Sequence, residues 1–342
     1  MGPTKVLVVD DSIVFREMLV QNLSKDPAIQ IVATAGDAFA ARDAILAHHP
    51  DVMTLDIELP RMNGIEFLRK LMPQYPQRTV VISSLSDKVF DALNAGAVDF
   101  VAKPAVSNRA QLEDFVKNDL LVKVKIAAAA QIGNVRKTAM VQEQSHLSVN
   151  KSNLIVAIGA STGGTEAILS VVKEFGTDIP GIVAVQHMPP GFTKMYAKRL
   201  NDNCRIQVKE AETGDRVMPG RMLIAPGGDR HMRLVKVSGE YRVDIKPGPK
   251  VNGHCPSVDV LFDSVAKTAG ADAVGIILTG MGGDGAKGLL AMRRAGARTI
   301  GQDESTCIVY GMPKVAYDLG AVERQDKLSD IAGRTYTLLN KM

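Results

Sequence analysis

The sequence predicts an α/β protein of two domains, each a doubly wound parallel sheet, joined by a linker. Three observations carry this. Short, nearly continuous apolar runs rich in Val and Ile alternate with segments of helical period through residues 1–104, and the alternation resumes at 153. Residues 131–152, "IGNVRKTAMVQEQSHLSVNKSN", lose apolar periodicity and gather Asn, Gln, Ser and Lys. A length of 342 residues suits two domains better than one. The division is therefore 1–125, a linker over 126–152, and 153–342.

In chain order, "KVLVVD", "IQIVATA", "DVMTLD", "TVVISS" and "DFVAKP" read as five strands, with helices over 12–25, 38–49, 63–72 and 87–95 between them. A fifth helix follows Pro104, and 110–130 has a helical pattern. Strict alternation of buried strands and helices means a parallel sheet covered on both faces. In the second half, "LIVAIGA", "GIVAVQHM", "RMLIAPGG", "YRVDIKPG", "AVGIILTG" and "TIGQD" read as strands, and 164–175, 191–201, 257–269, 284–296 and 312–319 as helices.

Composition narrows the classes. A net charge of +4, with no Lys/Arg run, RNA-binding aromatic motif or zinc-finger spacing, argues against nucleic acid as a partner. Three widely spaced cysteines, Cys204, Cys255 and Cys307, fit reduced thiols rather than a disulfide framework. No signal-peptide pattern and no apolar run of about 18 residues occurs, so a soluble cytoplasmic protein without direct membrane insertion is expected.

Charge is uneven: residues 1–104 hold 10 Lys/Arg against 13 Asp/Glu. Asp10 and Asp11 close the first strand, Asp56 the third and Lys103 the fifth. The carboxyl ends of parallel strands line one crevice, so these four side chains should meet there. Three clustered carboxylates raise one another's pKa, and a hard cation such as Mg²⁺ relieves the conflict. A carboxylate facing such a metal can take a phosphoryl group. Lys103 would offset the added charge, and Ser83, or Ser84 if the register shifts, could hydrogen-bond it. Each residue alone has an ordinary structural reading, with Asp11 as a helix cap and Lys103 as a surface charge. The motifs "VVDDS", "TLDIELPRMNG", "ISS" and "FVAKP" together resemble a response-regulator receiver domain, which is flavodoxin-like. The resemblance implies that Asp56 is the phosphoacceptor. It also implies that Asp10, Asp11, Asp56 and the backbone carbonyl of Glu58 or its neighbour hold Mg²⁺. The segment "DKVFDAL" is about one turn shorter than the helix this family usually carries there.

The second half poses the question of Ser161 in "LIVAIGASTGGTEA". The turn lacks the Gly-Lys-Ser/Thr ending of a phosphate-binding loop and the Gly-x-Gly-x-x-Gly of a dinucleotide turn. Gly159-Ala160-Ser161-Thr162-Gly163 does match Gly-x-Ser-x-Gly at a strand-to-helix bend that exposes a nucleophile, although glycine-rich turns of this kind are more often purely structural. His187 ends the next strand, and Asp284 follows the strand that ends near Thr279. Taken singly, the histidine would more often be a core residue and the aspartate a helix cap. All three nevertheless fall just past strand ends, where this fold places its active site, and they supply nucleophile, base and orienting acid. Glycines beside Ser161 and around Met281 (Gly163, Gly280) leave backbone N–H groups, with that of Thr162, for an oxyanion. Asp229, Asp259 and Asp303 remain alternatives for the acid. His254 and Cys255, as sequence neighbours, point opposite ways and form no dyad; His231 could line the cleft but has no nucleophile near it in sequence.

The motifs "IGASTGGTEAI", "AVQHMPPGFT", "IAPGGDRHM", "HCPSVDVLF" and "ILTGMGGDGAKG" closely resemble the chemotaxis protein-glutamate methylesterases, whose catalytic domain is Rossmann-like. The resemblance covers nearly the whole chain outside the linker. It implies demethylation of glutamate γ-methyl esters, and deamidation of glutamines, on chemoreceptor helices near the membrane. It carries the triad onto Ser161, His187 and Asp284 and an oxyanion donor onto the Met281 backbone, with no metal at that site. A chemotaxis histidine kinase is the implied phosphodonor, and the unphosphorylated receiver is implied to restrict the esterase cleft. Cys255 stands where the family often has arginine.

Overall fold

The computed structural model describes residues 2–84, 88–104, 109–132 and 153–342. The chain divides into two compact units, Met1–Gly133 and Asn134–Met342. Most of the expected linker lies outside the described residues.

The first unit runs β1 (Thr4–Val9), α1 (Ile13–Leu23), β2 (Ile29–Ala35), α2 (Ala38–His48), β3 (Val52–Asp56), α3 (Gly64–Leu71), β4 (Thr79–Ser83), α4 (Lys88–Asn94) and β5 (Asp99–Ala102). The helical stretch that follows is α5 (Arg109–Phe115), a π-helical turn over Val116–Leu120, and α6 (Leu121–Ala128). The sheet order β2-β1-β3-β4-β5 is parallel throughout. Its central strands are apolar and buried on both faces, the reason they read as continuous rather than alternating runs. Ser12, Asp37 and Asn63 cap α1, α2 and α3, each accepting a backbone N–H of the first turn. Asp11 is therefore not the cap. The fourth helix has seven residues, and Asp87, the first residue of the expected segment, lies outside the described residues.

The second unit runs β6 (Ile155–Ala160), α7 (Gly164–Val172), β7 (Gly181–Gln186), α8 (Phe192–Asn203), β8 (Gln207–Glu210), β9 (Arg221–Ile224), β10 (Arg230–Val237) and β11 (Glu240–Pro247). It continues with α9 (Val258–Thr268), β12 (Ala273–Ile277), α10 (Ala286–Arg294), β13 (Arg298–Gln302), α11 (Met312–Asp318), β14 (Arg324–Asp326) and α12 (Ile331–Lys341). Seven strands form a parallel sheet in the order β14-β13-β12-β6-β7-β9-β8. The strand read at "YRVDIKPG" is not part of it. That segment is β11, paired antiparallel with β10 in a separate hairpin. The hairpin's inner face, Met232, Leu234, Tyr241, Val243 and Ile245, joins the same buried cluster as α9. Strands β8, β10 and β14 and helix α12 were not expected. Among the described residues no helix is long and apolar enough to cross a membrane.

Two features of this sheet position the site. The strand order reverses at β6, which lies between β12 and β7, so a crevice opens at their carboxyl ends. Helix α9 lies unusually close to β6, because a Cβ on Gly159 would collide with the Val258 side chain.

Candidate active site

Ser161 follows β6 directly and is 6% exposed. Its N–H donates to the Thr279 carbonyl at 3.0 Å, and its own carbonyl accepts from Gln186 Nε2 at 2.9 Å. The turn is thus tied to the strand ends on either side. Register pairs Ala160 with Gln186, and the His187 N–H reaches the Ala160 carbonyl at 3.2 Å. One residue further on, Ser161 and His187 stand side by side on neighbouring strand ends, where strands lie about 4.8 Å apart.

Asp284 is brought to His187 from β12. His187 Nε2 lies 2.8 Å from Asp284 Oδ2. Asp284 is 1% exposed and is held by the amino end of α9. Oδ2 also accepts the Val258 N–H at 2.7 Å, while Oδ1 accepts Ser257 Oγ at 2.7 Å, Asn252 Nδ2 at 2.9 Å and the Asp259 N–H at 3.2 Å. Burial alone would raise its pKa, but the bonds from His187, Asn252 and Ser257 outweigh burial and hold it well below the usual carboxylate range. Asp284 is therefore an anion and an acceptor only, so the hydrogen between it and His187 sits on Nε2. The lone pair is left on Nδ1, which is buried and without a hydrogen-bond partner among the described residues. The Ser161 hydroxyl likewise has no partner among the described residues, and no hydrogen bond joins it to His187.

Glycines set the opposite wall. A Cβ on Gly280 would fall 2.7 Å from Ser161 Cβ, so only glycine lets the 280–283 loop approach the serine this closely. Gly163 takes φ +76° at the start of α7, where a side chain would also strike Ile308. Among the described residues the Met281 N–H makes no hydrogen bond to a backbone carbonyl, and Met281 is 46% exposed. Thr162 is buried, and its carbonyl accepts Thr279 Oγ1 at 3.0 Å.

A family model described as CheB methylesterase matches residues 156–335, and one described as response regulator receiver domain matches 6–117. Over 338 residues the chain is 60% identical to a protein of Syntrophomonas wolfei subsp. wolfei named protein-glutamate methylesterase/protein-glutamine glutaminase 2, covering 99% of this chain and 98% of that one. A relative of Syntrophotalea carbinolica with the same name, without the final numeral, is 50% identical over 347 residues, covering 98% of each chain. The solved catalytic domain of Thermotoga maritima CheB methylesterase is 38% identical, covers 54% of this chain and 98% of its own, and gives a TM-score of 0.53. The chain belongs to the CheB methylesterase family.

The other residues weighed for the acidic role lie elsewhere. Asp229 is exposed beside Arg230, and Asp303 accepts the Thr306 N–H in a short 3₁₀ turn. Asp259 is buried but bonds Gly288 N–H and Asn252, not His187. His231, 1% exposed, is no cleft residue: Ser257 N–H donates to its Nδ1 at 3.2 Å and its Nε2–H donates to the Pro249 carbonyl at 2.8 Å. Its Nε2 also lies 3.6 Å from Cys255 Sγ. His254 turns the other way and stacks on the His187 ring, with centroids 3.7 Å apart and planes 12° from parallel. Sequence reasoning missed His254, Asn252 and Ser257. All three belong to the segment between β11 and α9, whose one usable signal was Ser257 as the cap before "VDVLF".

In the first unit, carboxylate oxygens of Asp10, Asp11 and Asp56 lie within 4.8 Å of one another. Asp10 and Asp56 are buried and Asp11 is exposed. Lys103 Nζ sits 2.9 Å from Asp10 Oδ2, also binds Asp56 Oδ2, and lies over the Phe15 ring. Burial pushes the Asp10 pKa up to about 6 against the pull of Lys103, and the Asp56 charge adds to the rise. Burial opposes the Lys103 charge, but bonds to Asp56 and Asp10 hold its pKa above the ordinary lysine value. Glu58 gives its N–H to Asp56 Oδ1 at 3.0 Å. Ser83 is buried, and its hydroxyl donates to the Ser84 carbonyl at 3.1 Å rather than to a carboxylate. A cluster of hard oxygen donors, one open to solvent, fits a divalent cation such as Mg²⁺.

Proposed function

We propose that the chain is a phosphorylation-controlled serine hydrolase that cleaves glutamate γ-methyl esters, and deamidates glutamines, on the cytoplasmic helices of chemoreceptors. The observation that carries the chemistry is the His187–Asp284 pair, with an unpartnered Nδ1, on the strand end beside Ser161.

The steps follow from which nitrogen holds the hydrogen. Asp284 fixes Nε2–H, so Nδ1 is the base. For the transfer the Ser161 hydroxyl must turn to that nitrogen, a change between staggered wells. In the serine-protease template the two ring nitrogens are used the other way round. Oγ attacks the ester carbonyl while Nδ1 takes its proton, and the imidazolium is stabilised by Asp284. The tetrahedral oxyanion forms beside the 280–283 loop, where the Met281 N–H would donate to it, with the Thr162–Gly163 turn as the other source of donors. One such donor typically contributes about 10²–10³ in rate. Nδ1–H then protonates the departing methoxide to give methanol. Water, activated by the same nitrogen, splits the acyl-enzyme into Ser161 and a glutamate carboxylate. A glutamine side chain follows the same course and releases ammonia. No step calls for a metal at this site.

Control resides in the first unit. Asp56 accepts a phosphoryl group from a chemotaxis histidine kinase. Asp10, Asp11, Asp56 and the backbone carbonyl of Glu58 or its neighbour would hold Mg²⁺, which would supply positive charge to offset the carboxylates. Lys103 exchanges its carboxylate partners for the phosphoryl oxygens, and Ser83 turns from the Ser84 carbonyl to join it. The added charge of nearly two units shifts the receiver to a state that frees the esterase, close to the receptor arrays.

The test is methanol release from methylated receptor with and without acetyl phosphate. The full chain should release methanol slowly alone and faster with the phosphodonor. Asp56→Asn should keep the slow rate and lose the stimulation. Equal rates with and without phosphodonor in the unmutated chain would reject the control, and methanol release by Ser161→Ala would reject the chemistry.

A further inference from the structure

The segment between β11 and α9 carries a residue whose side chain touches two buried carboxylates. Asn252 Nδ2 lies 2.9 Å from Asp284 Oδ1 and 2.7 Å from Asp259 Oδ2. Both partners are acceptors, so only the NH₂ end of the amide fits, with one hydrogen to each. The two carboxylates are thus no more than two hydrogen-bond lengths apart. Asp259 is 9% exposed; burial raises its pKa and the Asp284 charge raises it further, against the bonds from Gly288 N–H and Asn252. Asp284 has the helix end, including the Asp259 N–H, Ser257 and His187, whereas the Asp259 carboxylate is joined to it through this amide. The backbone at Asn252 is left-handed, with φ +51°, a conformation that Asn, Asp and Gly tolerate and β-branched residues do not.

We propose that Asn252 is a positioning residue for the hydrolase: its amide bridges Asp284 and Asp259, and so keeps Asp284 ionised and aimed at His187 Nε2. The inference rests on the triad reading above. It assigns Asn252 no contact with substrate. Its effect passes through Asp284 to His187 and should therefore appear in the rate of the chemical step rather than in substrate affinity.

Two substitutions separate this role from a backbone role. Asn252→Asp keeps the shape and tolerates φ +51°, but replaces the donor with a third carboxylate. Asn252→Gly also tolerates the backbone and removes the amide without adding charge, and water can enter because the residue is exposed. Steady-state ester hydrolysis by the full chain should show kcat reduced about threefold in Asn252→Gly and at least about tenfold in Asn252→Asp, with KM within about twofold in both. If the position mattered only for its fold, the order would reverse, with the isosteric aspartate nearly silent. Exchanging the two, as Asn252→Asp with Asp259→Asn, keeps two carboxylates and one amide but sets a carboxylate rather than the amide against Asp284, so kcat should stay at least about threefold below that of the unmutated chain. The inference is overturned if Asn252→Asp matches or exceeds Asn252→Gly in kcat, if the loss lies in KM, or if the exchange restores the unmutated rate. Should Asn252→Asp fold poorly by circular dichroism, the Gly variant's kcat and KM decide, and unchanged kcat overturns the inference. Ser161→Ala run alongside separates the two readings. An inactive Ser161→Ala with unaffected Asn252 variants rejects the bridge and leaves the triad standing, whereas an active Ser161→Ala rejects the triad itself.

Discussion

Both units bury a carboxylate at the carboxyl ends of a parallel sheet, and the two are opposite in character. Asp10 is fully buried with one ammonium and one N–H, faces a second carboxylate, and is pushed up to about 6. Asp284 is as deeply buried, yet five donors meet it and its pKa falls below the ordinary range. Burial is the first influence on both, so it does not separate them. The count of donors does. A carboxylate left short of donors is suited to receive a cation, while one fully supplied is suited to hold a histidine in place.

The largest effect expected from this contrast is in the second unit. Ser161→Ala should lower ester cleavage on the order of 10⁶-fold, measured as kcat for methanol release. Asp284→Asn should cost on the order of 10⁴, because the amide no longer fixes Nε2–H. A near-normal rate there would return the role to another acid. In the first unit, the proposed ligand set requires Asp10 to lose its proton before Mg²⁺ binds. Mg²⁺ affinity, followed by calorimetry, should therefore fall as pH drops through about 6, by about tenfold per unit for one coupled proton. The smallest effect is on stability, and its sign differs between the units. The native pKa of Asp10 lies above its unfolded value of about 3.9, so it costs stability as pH rises from there through 6. Without Mg²⁺, Asp10→Asn should raise the unfolding temperature of the transition it affects by a few degrees, on the order of 4 °C, at pH 8, and less at pH 5. The native pKa of Asp284 lies below its unfolded value, so its stabilisation is complete above that value and is lost as pH falls below it.

Much of this was legible in the sequence because most of the candidate side chains end or directly follow a strongly apolar strand. The runs before Asp10 and Ser161 have no polar interruption, those before Asp56 and His187 have one each, Thr54 and Gln186, and the strand ends can be located to within a residue. Asp284 was placed through the glycines after Thr279. What supports it was not visible. The donors Asn252, Ser257 and the amino end of α9 lie some thirty residues upstream, and nothing local to Asp284 announces them. The hairpin was half seen: "YRVDIKPG" alternates clearly, but its partner "RHMRLVKV" is crowded with cations and follows a turn, so its apolar Met232 and Leu234 did not stand out. Strands β8 and β14 have four and three residues and lie at sheet edges, too short for periodicity to show. His254 was set aside because a neighbouring cysteine could not pair with it. That was sound for a dyad and silent about stacking on a third residue.

Gly280, pressed against Ser161 Cβ, carries a consequence for handedness. Backbone occupies one flank of the nucleophile, so an incoming acyl group can turn only one of its two prochiral faces toward the oxygen. A phosphonate inhibitor with a stereogenic phosphorus should accordingly label Ser161 with one enantiomer and largely spare the other.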